Sequence, residues 1–144
     1  MLTATPDRLP AGDRALLDAA RAARTAAYAP YSGFAVGAAV RALDGRVFTG
    51  GNIENASYGL TCCAERVAIF AAVAAGARAF SGLAVVAGAG DEPPSTPCGA
   101  CRQVLVEFGP PYPVLLAGPD PAGPVLVTRV DELLPFAFRL GTTE

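Results

Sequence analysis

Leu83-Ala84-Val85-Val86-Ala87, followed across a short loop by Pro97-Cys98-Gly99-Ala100-Cys101-Arg102-Gln103, is the stretch that decides the fold. A brief, unbroken apolar run is what a strand buried on both faces needs. Residues 98–108 then read as a helix ended by Gly109 and two prolines, and residues 114–117 as a second buried strand. Strand, helix and strand in succession imply parallel strands, a right-handed crossover and a helix packed on a face.

The same unit repeats upstream. Residues 62–75 read as a helix closed by Gly76, where a left-handed residue is needed. Before it, residues 34–43 and 46–49 read as antiparallel strands joined at Asp44-Gly45. A first helix is predicted over 13–29, with Leu16, Leu17, Ala20, Ala23 and Ala27 on its apolar face and Pro30 stopping it. Downstream, the link 118–124 is too short for a parallel crossover, so residues 125–127 should run antiparallel to their predecessor. Residues 131–134 read as one turn of helix. The expectation is an α/β fold with a mixed five-stranded sheet, its last strand antiparallel, in one domain over 1–144.

The chemistry lies in the cysteines. Cys63 stands two residues before Glu65, and Cys98 and Cys101 are spaced Cys-x-x-Cys; the chain has four cysteines and no histidine. Catalytic zinc sites keep three protein ligands and leave the fourth position for water or substrate, whereas structural sites close all four. Cys62 directly precedes Cys63, and in a helix adjacent side chains point about 100° apart, so one ion could hardly take both. Cys63, Cys98 and Cys101 are therefore the expected metal ligands. Both segments fall at helix N-termini after loops leaving strand ends, the edge where open α/β sheets bind ligands. A helix N-terminus favours anions, and positive surroundings lower a thiol pKa. Three thiolates outnumber the charge of one zinc ion by one, and Arg66 and Arg102, beside the ligand segments, are the expected donors to sulfur that offset this. Glu65 is the expected proton carrier at the open position.

Composition narrows the partners. The formal charge is −2, with eleven arginines, no lysine and no basic cluster, which argues against a polynucleotide. A small uncharged ligand fits better. No apolar run approaches the roughly 20 residues of a membrane span, and the start does not read as a secretory signal. Cytoplasm is the default, where cysteines stay reduced and Cys-x-x-Cys signals metal or redox chemistry. An apolar fraction of 52% suggests surface hidden in an oligomer.

Those residues, with Asn52-Ile53-Glu54-Asn55-Ala56-Ser57-Tyr58 upstream and the Cys98–Gln103 run downstream, resemble the small homotetrameric cytidine deaminases. The likeness runs from Tyr28-Ala29-Pro30-Tyr31-Ser32 to Glu132-Leu133-Leu134-Pro135. It implies a three-layer α/β/α arrangement and one zinc ion per subunit on Cys63, Cys98 and Cys101. Glu65 would take a proton from water at the metal and deliver it to ring N3, with attack at C4 of cytosine and loss of ammonia. The resemblance further implies that Asn52 and Glu54 contact the ribose, that Phe34 stacks on the base, and that Ala64 lies against the substrate. Tyr58 and Phe138 would be contributed across subunit interfaces of a homotetramer. The implied activity is deamination of cytidine and deoxycytidine in pyrimidine salvage.

Rival readings remain at this level. Phe34 and Phe138 could be ordinary core residues, and Asn52 and Asn55 could simply shape their loop. The enzyme could act on another cytosine nucleoside such as blasticidin. A deoxycytidylate deaminase normally supplies a histidine ligand, absent here. From another class, a structural zinc module would use Cys62 as fourth ligand, and a redox role would use Cys98 and Cys101 alone.

Overall fold

A computed structural model of the chain describes residues 1–90 and 92–141. In chain order its elements are β1 (Leu2–Ala4), α1 (Ala11–Arg24), β2 (Gly37–Ala42), β3 (Val47–Gly51), α2 (Ala64–Ala74), β4 (Phe80–Val86), α3 (Gly99–Glu107), β5 (Pro113–Ala117), β6 (Val125–Arg129) and α4 (Val130–Leu133). The strands form one mixed sheet in the order β1-β6-β5-β4-β2-β3, in which only β4 and β5 pair in parallel.

Five strands fall where the apolar runs place them, and β6 is antiparallel to β5 as the short link requires. The sheet nevertheless has six strands, not five. The added one, β1, pairs Leu2, Thr3 and Ala4 with Val127, Leu126 and Val125 at an edge. Three residues are too few to show alternation, so only pairing with β6 defines it.

The layers follow from alternation along the central strands. On β4 and β5, Leu83, Val85, Val114 and Leu116 face α2 and α3, where they pack with Ala68, Ile69, Ala72, Leu105 and Val106. Ala84, Val86, Leu115 and Ala117 face the other way and pack with Leu16, Leu17 and Ala20 of α1. Both helical layers approach the sheet closely over glycine. A Cβ on Gly37 would collide with the α1 backbone at Ala20 and Arg24, and one on Gly50 would lie 2.6 Å from the Ala68 nitrogen in α2.

The first helix ends five residues earlier than Pro30 suggests. The amides of Thr25, Ala26 and Ala27 turn to carbonyls three residues back, and Tyr28 N–H donates to Asn52 O at 2.8 Å. Tyr28 is thus drawn beside Ile53 in an isolated bridge, and the helix yields to that pairing. The second helix begins two residues later than read: Cys62 exchanges both main-chain hydrogen bonds with Ile53, at 2.9 Å each, and Cys63 is the extended N-cap.

Topology places the site. Because β3 and β4 both run antiparallel to β2, the ends of β3 and β4 and the start of β2 share one edge of the sheet. The loop 52–63, residues 87–90 and 92–98, and the segment 34–36 converge there. No helix among the described residues is long and apolar enough to cross a membrane.

Candidate active site

Cys63 caps α2 and Cys98 caps α3, each with extended backbone, while Cys101 lies in the first turn of α3. The three sulfurs lie within 4.8 Å of one another, with Cys63 and Cys98 Sγ 3.8 Å apart. Cys101 is buried and Cys98 exposed, so the cluster opens to one side. Cys62 is not part of it. In an extended segment successive side chains point to opposite sides, which turns Cys62 away from the three sulfurs more decisively than a helix would.

Charge is arranged for thiolate. Arg66 Nη2 donates to Cys63 Sγ at 3.4 Å. The Cys63 thiol is pulled down to about 5, first by a hydrogen bond from Cys101 and also by Arg66, against the opposing effect of burial. Cys101 is pushed up by that same bond and by burial, so within the pair Cys63 carries the charge. Arg66 Nε is buried with no partner among the described residues. Arg102, expected as a second donor to sulfur, goes elsewhere: it donates to Pro97 O at 2.7 Å, Leu133 O at 2.8 Å and Thr96 Oγ1 at 3.1 Å. It braces the ligand loop against α4 and leaves the sulfurs to Arg66 and two helix N-termini.

Three soft ligands gathered on one side of an opening fit zinc in its catalytic form, with one position left for water or substrate. Glu65 is the group beside that opening. Since Cys63 lies outside the helix, the two-residue spacing carries no half-turn penalty, and Glu65, Cys63 and Cys98 line one cavity of about 200 Å³. Only 5% of Glu65 is exposed, and its carboxyl is raised above the ordinary value, chiefly by burial and also by the Cys63 charge.

Phe34, Val36, Asn52, Ala64, Val85 and Ala87 line the same cavity. The Asn52 amide is largely engaged by main chain: Nδ2 donates to Phe34 O and Oδ1 accepts from Val36 N–H, both at 2.8 Å. It therefore sets the segment carrying Phe34, a role the bare sequence does not reveal. Thr61 borders this cavity and a second, outer one of about 370 Å³, lined by Tyr31, Ser32, Glu54, Asn55 and Tyr58. Glu54 Oε1 accepts from the amides of Tyr31 at 2.9 Å and Ser32 at 3.1 Å, and Oε2 accepts from the Ser32 hydroxyl at 2.5 Å. Those bonds, the hydroxyl first, hold its carboxyl below the ordinary range.

Phe138 does not border the cavity beside its own Glu65. Gln103 Nε2 donates to its carbonyl at 3.0 Å, and the residue is left 68% exposed. Tyr58 is 80% exposed.

Fold and site together define a cluster of three cysteine sulfurs able to hold a metal ion, with a buried carboxylic acid beside it, set at the strand-end edge of an α/β/α sheet. Residues 11–117 match the sequence pattern of the cytidine and deoxycytidylate deaminase zinc-binding region. A cytidine deaminase of Sporosarcina psychrophila is 50% identical over 124 residues, covering 85% of this chain and 88% of that one. The crystal structure of a cytidine deaminase from Burkholderia pseudomallei shares 54% identity with a TM-score of 0.79, covering 86% of this chain and 97% of that one. More distant is a blasticidin-S deaminase of Bacillus cereus, 31% identical over 109 residues, 72% of this chain and 76% of its own. The chain belongs to the cytidine and deoxycytidylate deaminase family.

Proposed function

We propose that this protein hydrolyses cytidine, and deoxycytidine, to the uracil nucleoside and ammonia, as a single catalytic domain over 1–144 acting in pyrimidine salvage in the cytoplasm. The observation that carries the reading is the buried carboxyl of Glu65, raised above its ordinary value, in one cavity with two of three clustered thiols.

The roles divide by position. Cys63, Cys98 and Cys101 would hold zinc, which when bound would supply the acidification of water that hydrolysis at neutral pH requires. Arg66 offsets the surplus thiolate charge through Cys63. Glu65 would take one proton from the attacking water and pass it to ring N3, then take the second proton of that oxygen and pass it to the departing amine as the C4 carbonyl forms; its raised pKa suits a group that must both take and give a proton. Phe34 stacks on the pyrimidine, Ala64 closes the floor, and Asn52 keeps Phe34 in place with its remaining N–H and lone pair turned to the sugar. Glu54 keeps acceptor capacity for a sugar hydroxyl, a compensation that a buried sugar edge needs. That sugar pocket also favours a nucleoside with a ribose ring over blasticidin.

The partner is a second copy of the chain. Exposed Phe70, Phe136, Phe138 and Leu140 are more apolar surface than an isolated subunit would carry. Phe138, which does not line its own cavity, completes a neighbour's in a homotetramer. The decisive measurement is loss of cytidine absorbance with purified protein, with and without a chelator. Chelator-sensitive turnover is expected; no turnover with one zinc bound per chain would refute the reading.

A further inference from the structure

Three consecutive residues form the wall that carries Phe34, and their main-chain groups are held from two sides. Asn52 holds Phe34 O and Val36 N–H, and Arg24 Nε donates to the intervening Ala35 O at 3.0 Å. The same guanidinium reaches further: Nη2 donates to Gly88 O at 2.9 Å. Gly88 follows Ala87, which with Val85 also lines the inner cavity and which the pairing of Gly37 with Val86 sets beside Val36. One side chain therefore ties together two neighbouring strand ends that both line the inner cavity.

Its base is rigid and its target is set. Arg24 closes the last turn of α1 where the helix backbone lies against Gly37, and a Cβ on Gly37 would stand 2.8 Å from Arg24 Cα. Gly88 adopts φ 90°, a conformation that favours glycine and that aims its carbonyl. A planar guanidinium can serve two carbonyls in fixed directions at once, which an ammonium cannot. No metal ligand and no group assigned to proton transfer touches it.

We propose that Arg24 is a positioning residue that fixes the place of Phe34 at the nucleobase site by tying the segment 34–36 to the end of β4. The proposal rests on the reading that cytosine binds against Phe34. Its loss loosens the Phe34 segment in the ground and transition states alike, which appears in KM and not in kcat.

The test is steady-state kinetics on zinc-loaded wild type, Arg24→Met and Arg24→Lys, with zinc content measured for each. Arg24→Met is expected to raise KM for cytidine and for deoxycytidine by the same factor, about tenfold, with kcat within about threefold and one zinc per chain. Arg24→Lys keeps one carbonyl and should recover part of the loss. An unchanged KM in Arg24→Met, a loss that differs between the two sugars, or a fall in kcat together with zinc overturns it. Should Arg24→Met be insoluble, a wild-type KM in Arg24→Lys overturns it equally. Failure of the wild type to turn over either nucleoside would instead sink the reading beneath it.

Discussion

The inner and outer cavities meet at Thr61 but are built by different forces. The inner one is cut between a strand end buried on both faces and two helix N-termini, and its key acid is almost wholly enclosed. The outer one is a set of exposed loop groups that hydrogen-bond to one another around Glu54. Burial raises the acid inside and hydrogen bonding lowers the acid outside. Two carboxyl groups in neighbouring pockets are thereby pushed in opposite directions, the first toward carrying protons and the second toward staying charged.

That contrast can be broken at the inner acid first. Glu65→Gln keeps shape and burial but cannot carry the proton, so kcat should fall by about a thousandfold or more. Zinc should stay at one per chain by metal analysis. Near-native turnover in this variant would erase the functional difference between the two cavities.

The next effect concerns what completes the rim. Phe138→Ala should raise KM for cytidine by about tenfold, or ~1.4 kcal/mol, with zinc and assembly unchanged by sedimentation. Wild-type kinetics from a protein that sediments as a monomer would count against a shared site.

The smallest effect sharpens the outer side. Glu54 has a folded pKa below its ordinary 4.5, so its contribution to stability is complete above that value and fades as pH falls through the folded one. The melting temperature of wild type should therefore drop more steeply than that of Glu54→Gln once pH goes below about 4.5. Parallel curves would mean that the Ser32 and Tyr31 bonds hold no advantage for the ionised form.

Legibility followed sequence distance. Cys63 with Glu65 and Cys98 with Cys101 are local spacings at predicted helix starts, and the structure gathers them in one place. Adjacency misled for Arg102, because a residue one step along a helix from a ligand turns about 100° from it, and its guanidinium found carbonyls of Pro97 and Leu133 instead. Asn52 acts across 16 to 18 residues and Arg24 reaches across 64, so neither partner could be read from a neighbouring spacing. The helix start at Cys62 was misplaced for a related reason: an apolar period continues through residues that a bridge to Ile53 holds extended.

By itself the sequence determined which three cysteines gather and that Glu65 lies in a cavity with two of them, together with five of the strands and the helices between, since each depends on residues close in the chain. Tertiary structure alone decided which side Cys62 faces, which arginine reaches sulfur, and that Leu2–Ala4 closes the sheet. Those outcomes turn on distant main-chain groups competing for the same side chains and edges, and a buried or paired hydrogen-bonding group takes the partner that folding brings to it.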